Sequence, residues 1–215
     1  MNIAIIGAGN VGKALGSTFA RAGHSVVYAA TSADSSRKAA EAVGGTAAAS
    51  ALEAAQRAEL VVIAVPYASA GRAVASEIAA AVGGKIVIDV TNPIGADGGL
   101  ATPAGTSAAE EFANWMPGAR VVKAFNTLFA AVQGDSGALG VEVDALFATD
   151  DEAARATVGD LLKSLRFRPV YVGPLARARE LEAMALLNIQ LQMTAAGDWR
   201  TTFALIGAPK AALEY

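Results

Sequence analysis

The chain has 215 residues, a formal net charge of −3, 53% hydrophobic and 17% charged residues, which describes a compact folded protein and excludes a disordered one. The absence of cysteine removes disulfides, thiolate nucleophiles and Cys-ligated metals, and one histidine, His24, leaves no His-based metal cluster or Ser-His-Asp machinery. The acidic balance argues against nucleic acid as a partner, and despite a mean hydropathy of +0.39 no apolar run reaches the roughly 18 residues of a membrane span.

Taken in chain order, apolar runs of strand length alternate with alanine-rich segments of helical length. The first run, Ile3–Ile6, leads directly into Gly7-Ala8-Gly9-Asn10-Val11-Gly12 and a helix over Val11–Ala22. Because the start of the chain already belongs to this motif, it is read as having no secretory leader, and the cytoplasm is the expected location. A GxGxxG pattern is weak alone but specific between a strand and a helix. Gly7 allows the tight turn, Gly9 lets main chain approach a pyrophosphate, and Gly12 permits close packing of helix on strand. The diphosphate would lie on free N–H groups near Asn10 and Val11, where the helix dipole favours negative charge. Gly16, one turn on, is read as a packing glycine.

A second strand, Ser25–Ala29, ends in Ala30-Thr31-Ser32-Ala33-Asp34-Ser35-Ser36-Arg37-Lys38. No carboxylate stands at the strand end itself, where NAD-type sites usually hold one for the ribose 2′-hydroxyl. Hydroxyls followed by Arg37 and Lys38 suit a 2′-phosphate instead, so NADP is expected ahead of NAD. A solvated helix face is the alternative role of Arg37 and Lys38, and Asp34 is a candidate cap for the helix expected over Ser35–Val43.

Helix Leu52–Arg57, strand Leu60–Ala64, helix Ala70–Val82, strand Ile86–Val90, helix Ala108–Trp115, strand Arg120–Ala124, strand Ala145–Ala148, helix Asp151–Leu165 and strand Pro169–Val172 follow. Ser107 with Glu110, and Thr149 with Glu152, read as capping boxes. The alternation implies an α/β fold with a doubly wound parallel sheet. After Pro174 one long helix, Ala176–Met193, is expected, with Leu181, Met184, Leu187 and Leu191 on one stripe. The expected division is a dinucleotide-binding domain over 1–174 and a helical cap over 175–215. The carboxyl ends of the later strands carry Val65-Pro66-Tyr67, Thr91-Asn92-Pro93 and Lys123-Ala124-Phe125-Asn126, and there Asn92 and Asn126 are candidates to hydrogen-bond a carboxamide, with turn formation as their alternative role.

Gly7–Gly12, Val90-Thr91-Asn92-Pro93, Val121–Thr127 and Arg179-Glu180-Leu181-Glu182-Ala183-Met184 resemble the NADPH-dependent reductases of the deazaflavin coenzyme F420, and with them the cytosolic domain of the six-transmembrane metalloreductases. The resemblance implies a Rossmann domain with a small C-terminal helical part, a homodimer, NADP(H) binding, and direct hydride transfer to a flavin-like ring: coenzyme F420, FMN or FAD. It places Ala8 to Val11 on the phosphates, Ala30, Thr31 and Ser32 on the adenosine ribose phosphate, and Val65 in the crevice. Members commonly carry arginine where this chain has Thr31, which shifts the 2′-phosphate contacts toward Ser32, Ser35 and Arg37. Hydride transfer between two held rings needs no protein nucleophile, and no catalytic side chain is nominated. The rival readings are a non-catalytic dinucleotide sensor and a dehydrogenase or imine reductase. The latter usually carries a large helical substrate domain for which the chain after Val172 is too short.

Overall fold

A computed structural model describes residues 1–214; Tyr215, the last residue of the expected cap, lies outside the described residues. The strands β1 (Asn2–Ile6), β2 (Ser25–Ala29), β3 (Thr46–Ala47), β4 (Leu60–Ile63), β5 (Ile86–Asp89), β6 (Arg120–Ala124), β7 (Asp144–Ala148) and β8 (Arg168–Gly173) form one sheet. Its order is β3-β2-β1-β4-β5-β6-β7-β8. The helices are α1 (Asn10–Arg21), α2 (Ala33–Glu41), α3 (Ala51–Arg57), α4 (Arg72–Ile78), α5 (Ala108–Trp115), α6 (Ala130–Gly134), α7 (Glu152–Ser164) and α8 (Ala178–Ala195). This is the Rossmann-type α/β arrangement the sequence predicts.

Side-chain alternation explains how the sheet is covered. Ile3 and Ile5 point into a core with Leu15 and Phe19 of α1 and Leu161 and Leu162 of α7. Ala4 and Ile6 point into another, with Ala54 and Ala55 of α3, Ala75 and Ile78 of α4 and Phe112 of α5. Strands buried on both faces in this way read as continuous apolar runs. The chain leaves β1 for β2 on one side and returns to β4 on the other. The carboxyl ends of β1 and β4 therefore flank the switch point where ligands of such sheets lodge.

Several sequence expectations are corrected. The sheet is parallel from β3 to β6, but β7 runs antiparallel to β6, with β8 parallel to β7. A connection through α6 (Ala130–Gly134) and a loop brings the chain back without the crossover that a parallel pair requires. Thr149 does not cap α7. Asp151 does, accepting the Ala154 N–H, while the Thr149 hydroxyl donates to Val121 O and accepts from Asp151 N. Ser32, not Asp34, caps α2. Ser107 caps α5 as expected, accepting from Glu110 N and donating to the Glu110 carboxylate. The segment expected as one helix from Ala70 starts with a π turn, Tyr67–Gly71, continues as α4 and closes with a 3₁₀ turn, Ala79–Ala81. The short β3 and α6 offer too few residues for any periodic signal.

Helix α8 lies against the sheet with a buried face that differs from the expected stripe. Leu181 is buried, but Leu187 and Leu191 are 60% and 55% exposed, while Glu182, Asn188 and Gln192 are buried. The inversion has a polar cause. Glu182 meets a buried lysine and the start of α5, both far away in sequence, and Asn188 and Gln192 both bond Thr201 in the segment that follows the helix. No helix among the described residues is long and apolar enough to cross a membrane.

Candidate functional site

The glycine turn is built as its residue types demand. Gly7 has φ +116° and donates its N–H to Ala29 O across the sheet. A Cβ on Gly7 would stand 2.2 Å from Ala64 O, and one on Gly12 2.0 Å from Gly7 O. Both positions are therefore closed to any side chain. Gly9 is different: nothing lies within 4 Å of where its Cβ would be. Its main chain faces open space at the mouth of α1. That helix begins without a side-chain cap, as do α4, α6 and α8, whereas α2, α3, α5 and α7 are capped by Ser32, Ser50, Ser107 and Asp151. Of the uncapped starts, that of α1 is the one lining the cavity it shares with Thr91 and Asn92. The free N–H groups around Gly9, Asn10 and Val11 are thus left to an external acceptor, and the helix dipole adds to their preference for an anion. Gly16 has the packing role expected of it. A Cβ there would strike the Tyr28 hydroxyl at 1.8 Å, and that hydroxyl donates to Gly12 O from inside the core. Burial raises its pKa to about 12.

Two cavities open from the turn along the strand ends, and they meet at Val65. One, of about 450 Å³, is lined by Gly7, Ala30, Thr31, Ser50, Val65 and Glu77 among others. At its rim the Ala30 N–H donates to Ser36 Oγ, and Ser32 Oγ accepts from Ser35 N. Thr31, Ser32 and Arg37 are exposed. Arg37 and Lys38 are both turned onto Asp34, at 2.9 and 2.7 Å, and these bonds from Lys38 and Arg37 hold the Asp34 carboxyl below its ordinary pKa. The side chain named from sequence as a cap is therefore the partner of the two cations.

The second cavity, about 320 Å³, is lined by Gly9, Asn10, Val11, Val65, Pro66, Thr91 and Asn92, with Ala64 and Val90. Asn92 lies in its wall as expected, and Asn126 stands behind it. The Asn92 amide donates to Asn126 O, and the Asn126 amide donates to Asn92 Oδ1 and Leu181 O. The two asparagines brace one another, so Asn126 positions the wall rather than forming it. Thr91 Oγ1, in the lining of this cavity, and Asn126 Oδ1, behind it, are buried without a protein hydrogen-bond partner. Orphaned groups of this kind await a polar ligand group or water. An uncapped helix start, a glycine open to close approach and an orphaned hydroxyl on one crevice fit a dinucleotide. His24 contacts the Met1 amino group at the amino ends of β1 and β2, the far end of the strands from the crevice, where burial and that amino group lower its pKa.

Sequence reading missed the charged cluster beneath this floor. Lys123 Nζ donates to Asp89 Oδ2 at 2.8 Å, Thr91 O at 2.6 Å and Glu182 Oε1 at 2.8 Å. Asp89 Oδ1 accepts the Thr91 N–H, and Glu182 Oε2 accepts the Ala108 N–H. All three side chains are fully buried. Burial by itself would lower the lysine pKa, but the two carboxylates outweigh it and hold the ammonium above its ordinary value. Burial raises Glu182, with Lys123 pulling the other way. Beside the cluster, Tyr67 donates to Glu111, stacks on Trp115, and is raised by burial and by that carboxylate. A lysine in an otherwise apolar strand, Val121-Val122-Lys123-Ala124, was the one available signal, because a buried cation requires acidic partners.

Known proteins resemble this chain from its first strand onward. Residues 2–93, from β1 to the end of β5, match the family described as NADP oxidoreductase, coenzyme F420-dependent. Metalloreductase STEAP3 of Rattus norvegicus is 36% identical over 104 residues, 48% of this chain, and this chain spans only 20% of that protein's length. Among solved structures, one from Arthrobacter sp. FB24, assigned provisionally as an F420-dependent NADP-reductase, superposes with a TM-score of 0.83 at 28% identity, covering 94% of this chain and 99% of the other. The hypothetical protein SMa0349 of Sinorhizobium meliloti is 33% identical with a TM-score of 0.73, over 82% of this chain and 86% of its own. From the first strand through the Asn92–Pro93 turn, somewhat less than half of its length, the chain is similar to the NADP oxidoreductase, coenzyme F420-dependent family.

Proposed function

We propose that this protein transfers hydride between NADP(H) and a deazaflavin, coenzyme F420, or a flavin such as FMN or FAD. The observation that carries the reading is the uncapped start of α1 at the junction of two cavities along the strand ends. Its likeness to the Arthrobacter protein over nearly the whole chain supports the acceptor class. Residues Gly7 to Gly12, with Ala8, Gly9, Asn10 and Val11 at the surface of the turn, hold the pyrophosphate. Ala30, Thr31, Ser32 and Arg37 serve the adenosine ribose phosphate, Val65 and Pro66 the middle of the crevice, and Asn92, braced by Asn126, the carboxamide. The bound coenzyme supplies the hydride chemistry. The residues of this chain bind it, orient it and keep water from the reacting faces. NADP is favoured over NAD by the hydroxyl-rich rim with Arg37 and Lys38 beside it, although Asp34 holds both cations.

The division proposed for the chain is a Rossmann domain over 1–174 and a helical cap over 175–215. It works as a cytoplasmic homodimer, with the exposed Leu187, Leu191 and Met193 of α8 as the apolar face that a second copy covers. Anaerobic mixing of the pure protein with NADPH and each of coenzyme F420, FMN and FAD tests the function. Reduction of at least one acceptor above the protein-free rate is expected, and no reduction of any of the three refutes the reading.

A further inference from the structure

The buried cluster under the crevice is unbalanced: two carboxylates, Asp89 and Glu182, face one ammonium, Lys123. Cations on the adjoining helices are committed elsewhere. Arg179 of α8 is held by Glu110, and Arg72 of α4 lies over Trp115. The cluster is joined to the crevice through one residue. Thr91 gives its N–H to Asp89 and its carbonyl to Lys123, and the same Thr91 lines the cavity shared with Gly9, Asn10 and Val11. A negative excess in a fully buried position acts through a low effective dielectric and is little screened by salt.

The nicotinamide ring is a cation when oxidised and neutral when reduced. We infer that the Asp89–Lys123–Glu182 cluster is an electrostatic bias that makes the site hold the oxidised coenzyme more tightly than the reduced one. Such a site favours release of hydride from NADPH to the acceptor, because the positive charge that develops on the donor ring is met by charge already in place. The inference rests on the proposed NADP(H) site. Within it, Glu182 acts through charge and position and touches no reacting atom. Its place on α8 gives the C-terminal helix a part in the redox balance, beyond covering the sheet.

Dissociation constants for NADP⁺ and for NADPH, measured separately on wild type, Glu182→Asp and Glu182→Gln, test it. The Asp variant keeps the charge and is expected to keep the wild-type ratio of the two constants. The Gln variant is expected to weaken NADP⁺ relative to NADPH by about tenfold, the scale of one unit charge acting across on the order of 12 Å at an effective dielectric of ~20. Equal weakening of both coenzymes is what a merely structural residue gives, and it overturns the inference, as does an unchanged ratio. Should the Gln variant not fold, the potential of the coenzyme bound to wild type decides. It is expected to be more negative than that of free coenzyme, and an equal or less negative value overturns the inference. Failure of wild type to bind either coenzyme sinks the proposed function itself, a different outcome from bound coenzyme without bias.

Discussion

Gly9 and Gly12 stand one helical turn apart and are glycine for opposite reasons. A methyl group on Gly12 has nowhere to go but into the Gly7 carbonyl, so Gly12→Ala is expected to lower folding stability by about 2–3 kcal/mol through overpacking. A methyl group on Gly9 meets nothing in the protein, and its φ of −77° suits alanine. Gly9→Ala should therefore melt within a degree or two of wild type by calorimetry and yet bind NADP(H) about tenfold more weakly. A loss of stability on Gly9→Ala with coenzyme affinity intact would show that the space at Gly9 is not where the coenzyme lies. The adenosine rim gives a second contrast. Thr31 is exposed beside Asp34, which holds Arg37 and Lys38. Thr31→Arg is expected to raise the NADP-over-NAD affinity ratio about tenfold, the worth of one charge-assisted phosphate contact. Asp34→Asn should move the ratio the same way by freeing both cations; titration of both coenzymes reads each result. Glycine roles were legible from sequence because spacing and neighbours define them; the Asp34 pairing was legible too, since Arg37 and Lys38 stand three and four residues on along α2, but Asp34 was read as a cap.

At the level of elements, the start of α5 could be read directly, since Ser107 and Glu110, three residues apart, carry its cap. Thr149 misled because its hydroxyl has a tertiary partner, Val121 O, that no local pattern contains. Helix α8 misled further: its leucine spacing describes a face that the fold leaves outward, and its inward face is polar because its partners Lys123 and Thr201 come from elsewhere in the chain. With the outward face proposed as a subunit contact, Leu187→Glu combined with Leu191→Glu should convert a dimer to a monomer by light scattering, with little change in the monomer's far-UV spectrum. A wild-type protein already monomeric at micromolar concentration rules that contact out. The tie of α8 to α5 adds a pH effect. Arg179 bonds Glu110 through two nitrogens, and that bond lowers the carboxyl from its ordinary 4.5. A depressed carboxyl contributes stability that is complete above its unfolded pKa and is lost as pH falls through its folded one. Arg179→Gln should therefore melt below wild type at pH 7, and the gap should close on acidification below about 4.5; a gap constant down to pH 3 would contradict this.

For the whole molecule, the alternation of apolar strands with helices, with the glycine turn after the first strand, was enough to give the doubly wound core, because such strands must be covered on both faces. The reversal at β7 was not legible, since direction is not written into an apolar run such as Ala145–Ala148. Nor was the Asp89–Lys123–Glu182 cluster, whose members lie on β5, β6 and α8 and become neighbours only through the sheet.

That reversal has a further consequence. Strands β6 and β7 share only two register pairs, Lys123 with Ala148 and Ala124 with Phe147, against five between β7 and β8. Apart from the equally short β2–β3 junction at the sheet's edge, the seam is the thinnest stitching in the sheet, reinforced by the Thr149 hydroxyl on Val121. Under native conditions β7, β8 and α7 should come away together as a flap while the nucleotide half stays closed, their amides exchanging with deuterium at one common rate and ahead of those in β1, β4 and β5.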